Sequence, residues 1–347
     1  MVSYGMNYRF YNTSAKAWAG MLAAIGSARE SIYLEMYILE NDTTKYDFPS
    51  ELMRKAREGV RVVMILDAFG SSRLGDTLID QLRIAGVEVL FFSYWFRRMH
   101  RKILIIDERV AFLGGVNIAH RFARWNDLQV RVSGRIVRHI LRSFIRVYHE
   151  CGGKNPAFLG LARPPLVKKA RLWFIEHGMG GKRYVLRKHY ENHINNARKT
   201  VMIVSPYLLP HHWLITCIHR AVNRGVHVTI MVPRRTDYAT VDRINYYYVD
   251  LFNKLGAHCL LSDTMNHAKV MLIDGHIGTV GSQNLDALSF NWNAEAGVFF
   301  DNTKMVHDLD RIINVWADAA VSFTPTTHPP HWYDLAFALL LRILRPM

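Results

Sequence analysis

The chain carries the same 18-residue arrangement of polar side chains twice, once in each half. Each copy reads His-x-Lys, four residues, Asp, six residues, then Gly-Gly or Gly-Ser, one residue and Asn. The copies are His100, Lys102, Asp107, Gly114, Gly115 and Asn117, and His267, Lys269, Asp274, Gly281, Ser282 and Asn284. A chain with 17 His and 44 Lys and Arg residues contains single His-x-Lys strings by chance. Two full copies with identical spacing therefore indicate shared chemistry.

Each copy predicts a strand, a tight turn and a returning strand. Residues 103–106 and 270–273 are short apolar runs, as expected for strands buried on both faces. A histidine and a lysine two positions apart face the same side of a strand. Each small pair, Gly-Gly or Gly-Ser, allows the backbone to approach a ligand, and an Asn amide follows it. An imidazole, an ammonium and an amide directed at one place are groups that bind a phosphate.

The two aspartates of the pattern belong to the predicted catalytic residues, which are His100, Lys102, Asp107, His267, Lys269 and Asp274. Within it, Asp107 and Asp274 are expected to stabilise turns rather than carry protons. Asn117 and Asn284 are predicted to bind the substrate. Neither copy has extra His, Cys or carboxylate residues at metal-ligand spacing, so we expect catalysis without a metal or other cofactor.

A carboxylate follows each copy at nearly the same distance. Asp127 lies 27 residues after His100, and Glu295 lies 28 residues after His267. Both acids open a predicted strand. A carboxylate bonded to Nδ1 of a histidine fixes its tautomer and leaves Nε2 free to react. An acid at a strand end can also simply face solvent, but its recurrence in both halves favours the histidine-orienting role.

The duplication extends through the chain, because Gly59-Val60 and Gly225-Val226 precede matching strands, and Gly86 and Gly256 end matching helices. Helical and strand patterns alternate, which predicts an α/β fold of two tandem, similar α/β/α sandwich domains. We expect a first domain at 1–150, a basic link containing Gly and Pro at 151–185, a second domain at 186–325 and an amphipathic tail at 326–347.

These residues resemble the paired motifs of the phospholipase D superfamily, and most closely those of bacterial cardiolipin synthases of the short type without N-terminal membrane spans. The matching strings are Phe96 to Lys102, Trp125-Asn126-Asp127, Ser205-Pro206-Tyr207, Gly281 to Asp286, Leu288-Ser289 and Leu34-Glu35-Met36-Tyr37. The resemblance covers nearly the whole chain. It implies one active site at a pseudo-twofold axis between the halves, no metal, and a covalent phosphohistidine. Glu35 and Tyr207 become candidates for lining the head-group or acceptor pocket.

The resemblance implies a phosphatidyltransferase that makes cardiolipin from phosphatidylglycerol and a second phospholipid. By this analogy alone, His100 is the nucleophile and His267 the acid and base, since the symmetric motifs do not separate them. Lys102, Lys269 and the two asparagines would hold the nonbridging oxygens as charge builds. The alternatives are a phospholipase D-type hydrolase with the same chemistry, a metal-independent nuclease, and a membrane-binding scaffold, against which the two intact motifs argue.

Charge and the C-terminal sequence suggest the partner. A net charge of +15 points to a polyanion, either nucleic acid or an anionic membrane. Four arginines fall near one face of a predicted helix at 135–148, where a solvated basic face is equally expected. In the tail, Trp332 and Tyr333 precede an apolar run with Arg342 and Arg345, a pattern that suits a helix lying in a membrane interface or docked on the protein's own core.

These features favour anionic phospholipids such as phosphatidylglycerol and cardiolipin, on a membrane surface, over nucleic acid as partners. The first 13 residues lack the apolar stretch of a signal peptide, and three scattered cysteines suggest reduced thiols. We therefore expect a peripheral protein on the cytoplasmic side of a bacterial inner membrane.

Overall fold

The computed structural model describes residues 7–43, 45–95, 97–156, 158, 171–178 and 185–325. The elements of the first half are β1 (Tyr8–Thr13), α1 (Ser14–Gly26), β2 (Ser31–Met36), α2 (Phe48–Arg57), β3 (Arg61–Asp67), α3 (Asp76–Ile84), β4 (Glu88–Phe92), β5 (Lys102–Ile106), β6 (Val110–Gly114), β7 (Asn126–Ser133) and α4 (Ile136–Glu150). Two short 3₁₀ helices occupy Ser72–Leu74 and His120–Phe122.

The elements of the second half are β8 (Leu172–His177), α5 (Val185–Asn196), β9 (Thr200–Val204), β10 (Leu208–Leu209), α6 (His212–Asn223), β11 (His227–Pro233), α7 (Ala239–Lys254), β12 (His258–Ser262), β13 (Val270–Ile273), β14 (Ile277–Gly281), β15 (Leu285–Asp286), α8 (Ala287–Asn291), β16 (Glu295–Phe300), α9 (Thr303–Asp318) and β17 (Ala320–Ser322). Within the described ranges, no helix combines the length and apolar character needed to cross a membrane.

The two halves share one sheet topology. The first sheet runs β1-β7-β6-β5-β2-β3-β4, and the second runs β8-β16-β14-β13-β9-β11-β12 with β17 added at its edge. In both, three parallel strands (β2, β3 and β4; β9, β11 and β12) adjoin an antiparallel hairpin, which is β5-β6 or β13-β14. Gly86 and Gly256 lie at φ +95° and +91° where a helix turns into a strand, a conformation that glycine adopts without strain. The predicted fold of two similar α/β/α halves is confirmed.

Three apolar clusters explain why the motif strands are continuously hydrophobic. One cluster lies under the outer helices of the first half and another under those of the second half. The third lies between the two sheets and includes α4 and α9. Along β5, Ile103 and Ile105 face this central cluster, whereas Leu104 and Ile106 face the outer one. A strand buried on both faces has no position for a polar side chain, so its functional groups collect at its ends.

The structure corrects the predicted link at 151–185. β8 (Leu172–His177) lies inside that range, yet it forms the edge of the second sheet and pairs with β16 from Leu172↔Phe300 to His177↔Glu295. The second sheet therefore begins within the predicted link. Residues 159–170 and 179–184 of the link, and the predicted tail at 326–347, lie outside the described residues.

The predicted basic helix is α4, which extends to Glu150. Its apolar side chains Val137, Leu141, Phe144 and Tyr148 are buried in the central cluster. Arg135 precedes the helix, whereas Arg138, Arg142 and Arg146 lie within it. Arg146 is bound to Glu176 of β8. Part of this basic face therefore holds the two halves together.

The structure also corrects the catalytic assignment of Asp107 and Asp274. Each follows the end of its strand remote from the histidine, and β5 is roughly 16 Å long at about 3.3 Å per residue. Asp107 accepts backbone N–H bonds from Arg29, Glu30 and Ser31 at 2.7–3.1 Å. Asp274 accepts the equivalent bonds from residues 198–200 at 2.7–2.9 Å. Both aspartates adopt positive φ, at 49° and 51°. They fasten each hairpin turn to the neighbouring parallel strand.

We expect Asp107→Ala to lower the free energy of unfolding by about 1–3 kcal/mol, because three backbone donors lose their acceptor. Turnover per folded molecule should stay near that of the wild type. Urea denaturation and an activity assay of the same preparation check both points. Asp80→Ala is the matched control, since that exposed carboxylate pairs with Arg83 at 3.7 Å on the helix surface. Equal stability of the two variants would contradict this account of the turn.

Candidate active site

The backbone before each motif strand crosses to the other half of the molecule. His100 N donates to Ala294 O at 2.9 Å, and Ala294 N donates to Arg98 O at 2.8 Å. The second half mirrors this, because His267 N donates to Asn126 O at 2.7 Å. Ala294 and Asn126 each directly precede one of the recurrent acids. The crossing therefore brings each histidine to the acid of the opposite half.

Each imidazole is bound by that opposite acid. His100 Nδ1 lies 3.0 Å from Glu295 Oε1, and His267 Nδ1 lies 2.8 Å from Asp127 Oδ2. All four side chains are buried. The sequence predicted a carboxylate on Nδ1 but did not indicate which acid serves which histidine. With Nδ1 engaged, Nε2 is the ring nitrogen left for chemistry.

The second small residue of each motif lies against one of these acids rather than against a ligand, which corrects the sequence interpretation for Gly115 and Ser282. A Cβ at Gly115 would lie 2.2 Å from Asp127 Oδ1. In the second copy the equivalent Ser282 is tolerated because its Oγ donates to Glu295 Oε2. The Gly-to-Ser difference between the motifs therefore accompanies an additional hydrogen bond on Glu295.

The two lysines are buried next to the histidines. Lys102 Nζ donates to the backbone oxygen of His100 at 2.7 Å, and Lys269 Nζ donates to that of His267. Burial, partly offset by nearby carboxylates, lowers the pKa of Lys102 to about 7 and that of Lys269 to about 8. Lys269 also lowers the pKa of Lys102, and both lysines lower the pKa of His267, because like charges repel. Without a bound anion, the lysines and histidines therefore disfavour one another's protonation.

The asparagines differ in their contacts. The side-chain oxygen of Asn117 accepts from Ile38 N at 3.3 Å, which leaves its amide nitrogen as a donor. Asn284 is anchored through its backbone N–H to Ser289 Oγ at 3.1 Å, and its side-chain oxygen has no hydrogen-bond partner among the described residues. Both side chains line the same cavity as the histidines.

A cavity of about 370 Å³ lies between the two halves and is lined by both histidines and both asparagines. Its lining includes His100, Asn117, Tyr37, Phe122, Trp125, His267, Tyr207, Tyr238, Asn284, Asp286 and Leu288. The rings of Tyr37 and Tyr207 pack edge-on to His100 and His267, with centroids 4.8 and 6.1 Å apart. A wider groove of about 750 Å³ beside β1 and α1 contains none of the repeated polar residues. Among the described residues, no three His, Cys, Asp or Glu side chains form a group that could hold a metal ion.

Of the two candidate pocket residues, the structure supports one. Tyr207 lines the cavity, and its hydroxyl donates to Asp237 Oδ1 at 2.6 Å. Glu35 is instead fully buried against Arg101 in the first half, with Oε2 and Nε 2.9 Å apart. It is not a lining residue, because the inner face of β2 directs it into the protein.

Sequence reasoning gave no role to Asp286 or Asp237, which also line the cavity. Asp286 caps α8 by accepting from Ser289 N at 2.6 Å, and burial raises the pKa of its carboxyl. The Asp-x-x-Ser spacing is a helix-capping signal that could have located it. Asp237 lies in a loop before α7, where the sequence carries no such pattern.

The two histidine–carboxylate pairs differ electrostatically. Burial would raise the pKa of Glu295, but His100, Lys102 and the Ser282 hydroxyl outweigh burial and hold that pKa below its usual value. Burial raises the pKa of Asp127 to about 7. Burial also lowers the pKa of both histidines, and most strongly that of His267. Near neutrality the Glu295–His100 pair therefore holds an anionic carboxylate and a neutral imidazole, whereas the Asp127–His267 pair gains a shared proton around pH 7.

Comparison with known proteins agrees with this arrangement. The family described as cardiolipin synthase, PLD-like domain, matches residues 21–148 and 190–316. A cardiolipin synthase of Geobacillus kaustophilus is 30% identical over 85% of this chain and 63% of its own length. One of Halalkalibacterium halodurans is 28% identical over 100% of this chain and 73% of its own length. The chain thus spans about two thirds to three quarters of these relatives.

Two solved structures share the fold. Phosphatidylserine synthase of Haemophilus influenzae superposes with a TM-score of 0.75 at 15% identity, covering 97% of this chain and 93% of its own. Polyphosphate kinase of Porphyromonas gingivalis superposes with a TM-score of 0.63 at 15% identity, covering 98% of this chain and 52% of its own. At this identity the likeness establishes the architecture of paired sheets.

We expect binding of a tetrahedral dianion to take up protons at pH 8. Lys102 and Lys269 have pKa values of about 7 and 8, so both are substantially neutral at that pH before an anion binds. A bound dianion raises these pKa values and draws in on the order of one proton. Calorimetry with tungstate in two buffers of different ionisation enthalpy measures the uptake. Lys102→Met should reduce it, and proton release on binding would contradict the charge assignment.

Proposed function

Because the chain belongs to the cardiolipin synthase, PLD-like domain family, we propose that it is a phosphatidyltransferase acting through a phosphohistidine. The donor is phosphatidylglycerol and the acceptor is the hydroxyl of a second phospholipid, which gives cardiolipin and free glycerol. The observation that carries the proposal is the pair of carboxylate-bound histidines from opposite halves, lining one cavity with two asparagines.

In the first step, Nε2 of His100 attacks the donor phosphorus and forms an N–P bond. The bond between phosphorus and the glycerol oxygen breaks, and His267 gives its proton to that oxygen as glycerol leaves. In the second step, His267 takes the proton of the acceptor hydroxyl, whose oxygen attacks phosphorus and breaks the N–P bond. Both histidines are then restored to their starting states.

The lysines and asparagines would stabilise the phosphorus centre as it reacts. Lys102 and Lys269 supply positive charge, and the Asn117 amide supplies a donor to the nonbridging oxygens. These groups are buried, so their attraction to a phosphate is screened less than it would be in water. The substrate charge in turn favours the ammonium form of both lysines.

The electrostatic difference between the two pairs supports the separate roles. Glu295 stays anionic and holds a neutral His100 with Nδ1 protonated, which leaves the Nε2 lone pair available for attack. The Asp127–His267 pair takes up a proton near pH 7, so it can present one at Nε2 to the leaving alcohol. This reasoning assigns His100 as nucleophile and His267 as acid and base.

Hydrolysis is the second candidate, because water can replace the acceptor alcohol at the same site. We propose transfer as the main reaction and anionic phospholipids as the substrates, at the cytoplasmic face of a bacterial inner membrane. Lipid analysis after incubation with phosphatidylglycerol vesicles tests this directly. Cardiolipin with one equivalent of glycerol indicates transfer, phosphatidic acid with glycerol indicates hydrolysis, and unchanged lipid would refute both.

We expect His267→Ala to form a phosphoenzyme more slowly than the wild type, because the leaving alcohol receives no proton, and to retain it longer, because the acceptor is no longer deprotonated. His100→Ala should form none, since the attacking nitrogen is absent. Acid-labile, base-stable labelling from a donor labelled in its phosphate measures the intermediate. Label in His100→Ala but not in His267→Ala would exchange the two roles.

We expect Asp127→Asn and Glu295→Gln to lower turnover by roughly 10²–10⁴-fold, because an amide no longer fixes the reactive tautomer of its histidine. Binding of a substrate analogue should change less than turnover. Matched controls are Asp107→Asn and Asp274→Asn. These aspartates recur in both halves as well, but they bind the hairpin turns at the strand ends remote from the histidines. Near-normal rates for both site variants would show that the acids do not orient the histidines.

A further inference from the structure

Several exposed apolar side chains line the active-site cavity or adjoin residues that line it. Nine large hydrophobic side chains are exposed within the described ranges of the chain. Two of them, Tyr238 and Leu288, line the cavity itself. Phe69 packs against Arg98 and the backbone oxygen of Trp95 accepts from Arg98 at 3.5 Å, while Trp292 directly precedes Asn293. Arg98 and Asn293 both line the cavity. We call the five exposed side chains, Phe69, Trp95, Tyr238, Leu288 and Trp292, the apolar rim. Both halves of the molecule contribute to it.

In the second half, the rim is built on α8 and the residue that follows it. Ser289 and Phe290 are buried there, whereas Leu288 and Trp292 are 58% and 53% exposed. Residues four apart lie on the same side of a helical turn, so both side chains project on one side. Asn293, the next residue, lines the cavity. This short segment therefore presents two apolar side chains to solvent at the edge of the site.

In the first half, the rim combines aromatic rings with a cation. Trp95 is 83% exposed. The Arg98 guanidinium lies 4.4 Å from the Phe69 ring centroid and donates to Tyr94 O at 3.0 Å. Arg98 also lines the cavity. A positive charge thus stands between the apolar side chains and the reacting groups.

The size of the cavity explains why apolar surface is needed outside it. A volume of about 370 Å³ is at the small end of ligand sites and suits a phosphate with its head group. Two long acyl chains do not fit in the same space. A lipid whose phosphate reaches the histidines must therefore leave its chains beyond the mouth, next to the rim.

We propose that the apolar rim docks on the surface of an anionic phospholipid bilayer and positions the cavity mouth at its head groups. Tryptophan and leucine suit the interfacial region, and Arg98 suits lipid phosphates. The net charge of +15 complements such a surface. The identity of the partner rests on the proposed function, whereas the location of the surface rests on the rim itself. Docking this way lets a lipid engage its phosphate without leaving the bilayer.

The test compares the full chain with the double variant Trp95→Ser/Trp292→Ser, whose positions do not line the cavity. Sedimentation with vesicles of equal phosphatidylglycerol and phosphatidylcholine should show a partition coefficient lowered roughly tenfold or more, because two interfacial side chains are lost. The matched control, Ile84→Ser/Val315→Ser, removes two exposed apolar side chains from α3 and α9. It should bind as the wild type does.

A second assay separates docking from chemistry. With dibutyryl phosphatidylglycerol as a dissolved monomer, the rim variant should keep wild-type glycerol release while losing activity on vesicles. Unchanged vesicle binding, or an equal loss in the control variant, overturns the docking proposal. A loss of self-association instead of vesicle binding, measured by light scattering, also overturns it and assigns the rim to a second copy of the chain. Weaker binding without any glycerol release from either substrate supports the docking surface but refutes the proposed function.

Discussion

The exchange of carboxylates between the halves is the interaction on which the rest of the structure depends. His100 is bound by Glu295 and His267 by Asp127, and all four side chains are buried. Removing one partner of such a pair leaves a buried polar group unsatisfied, at a cost of about 1–3 kcal/mol or more. Separating the halves would do this twice. The active site and the interface between the halves are therefore one structure, and neither half has a complete site alone.

Burial gives this site its chemistry. The same desolvation that lowers the pKa of Lys102 to about 7 raises that of Asp127 to about 7. Both groups are thereby brought closer to neutrality near physiological pH. Under the proposed function, a phosphate would add negative charge beside the two lysines. Binding and protonation are consequently linked, and the groups that hold the phosphate become most strongly charged when it is present.

Much of this arrangement could be predicted because duplication supplies an internal comparison. Matching spacing around His100 and His267 predicted the paired halves, the hairpin strands and the recurrent acids. The sequence could not show that each acid crosses to the opposite histidine, because that depends on how Ala294 and Asn126 bridge the halves. It predicted a turn-stabilising role for Asp107 but still placed that residue in the catalytic set, because the spacing of a motif does not show the distance between its side chains. The strand β8 was missed because it lies within a Gly- and Pro-containing stretch.

The two halves depart from symmetry at the histidine-binding carboxylates, and this departure bears on the different proton roles proposed for the two histidines. Glu295 is longer than Asp127 and accepts from the Ser282 hydroxyl, a contact that Gly115 cannot supply in the first half. That extra donor helps keep Glu295 anionic, whereas Asp127 holds a proton more readily. These two differences around the carboxylates support the proposed division of roles, in which His100 attacks phosphorus and His267 transfers the proton.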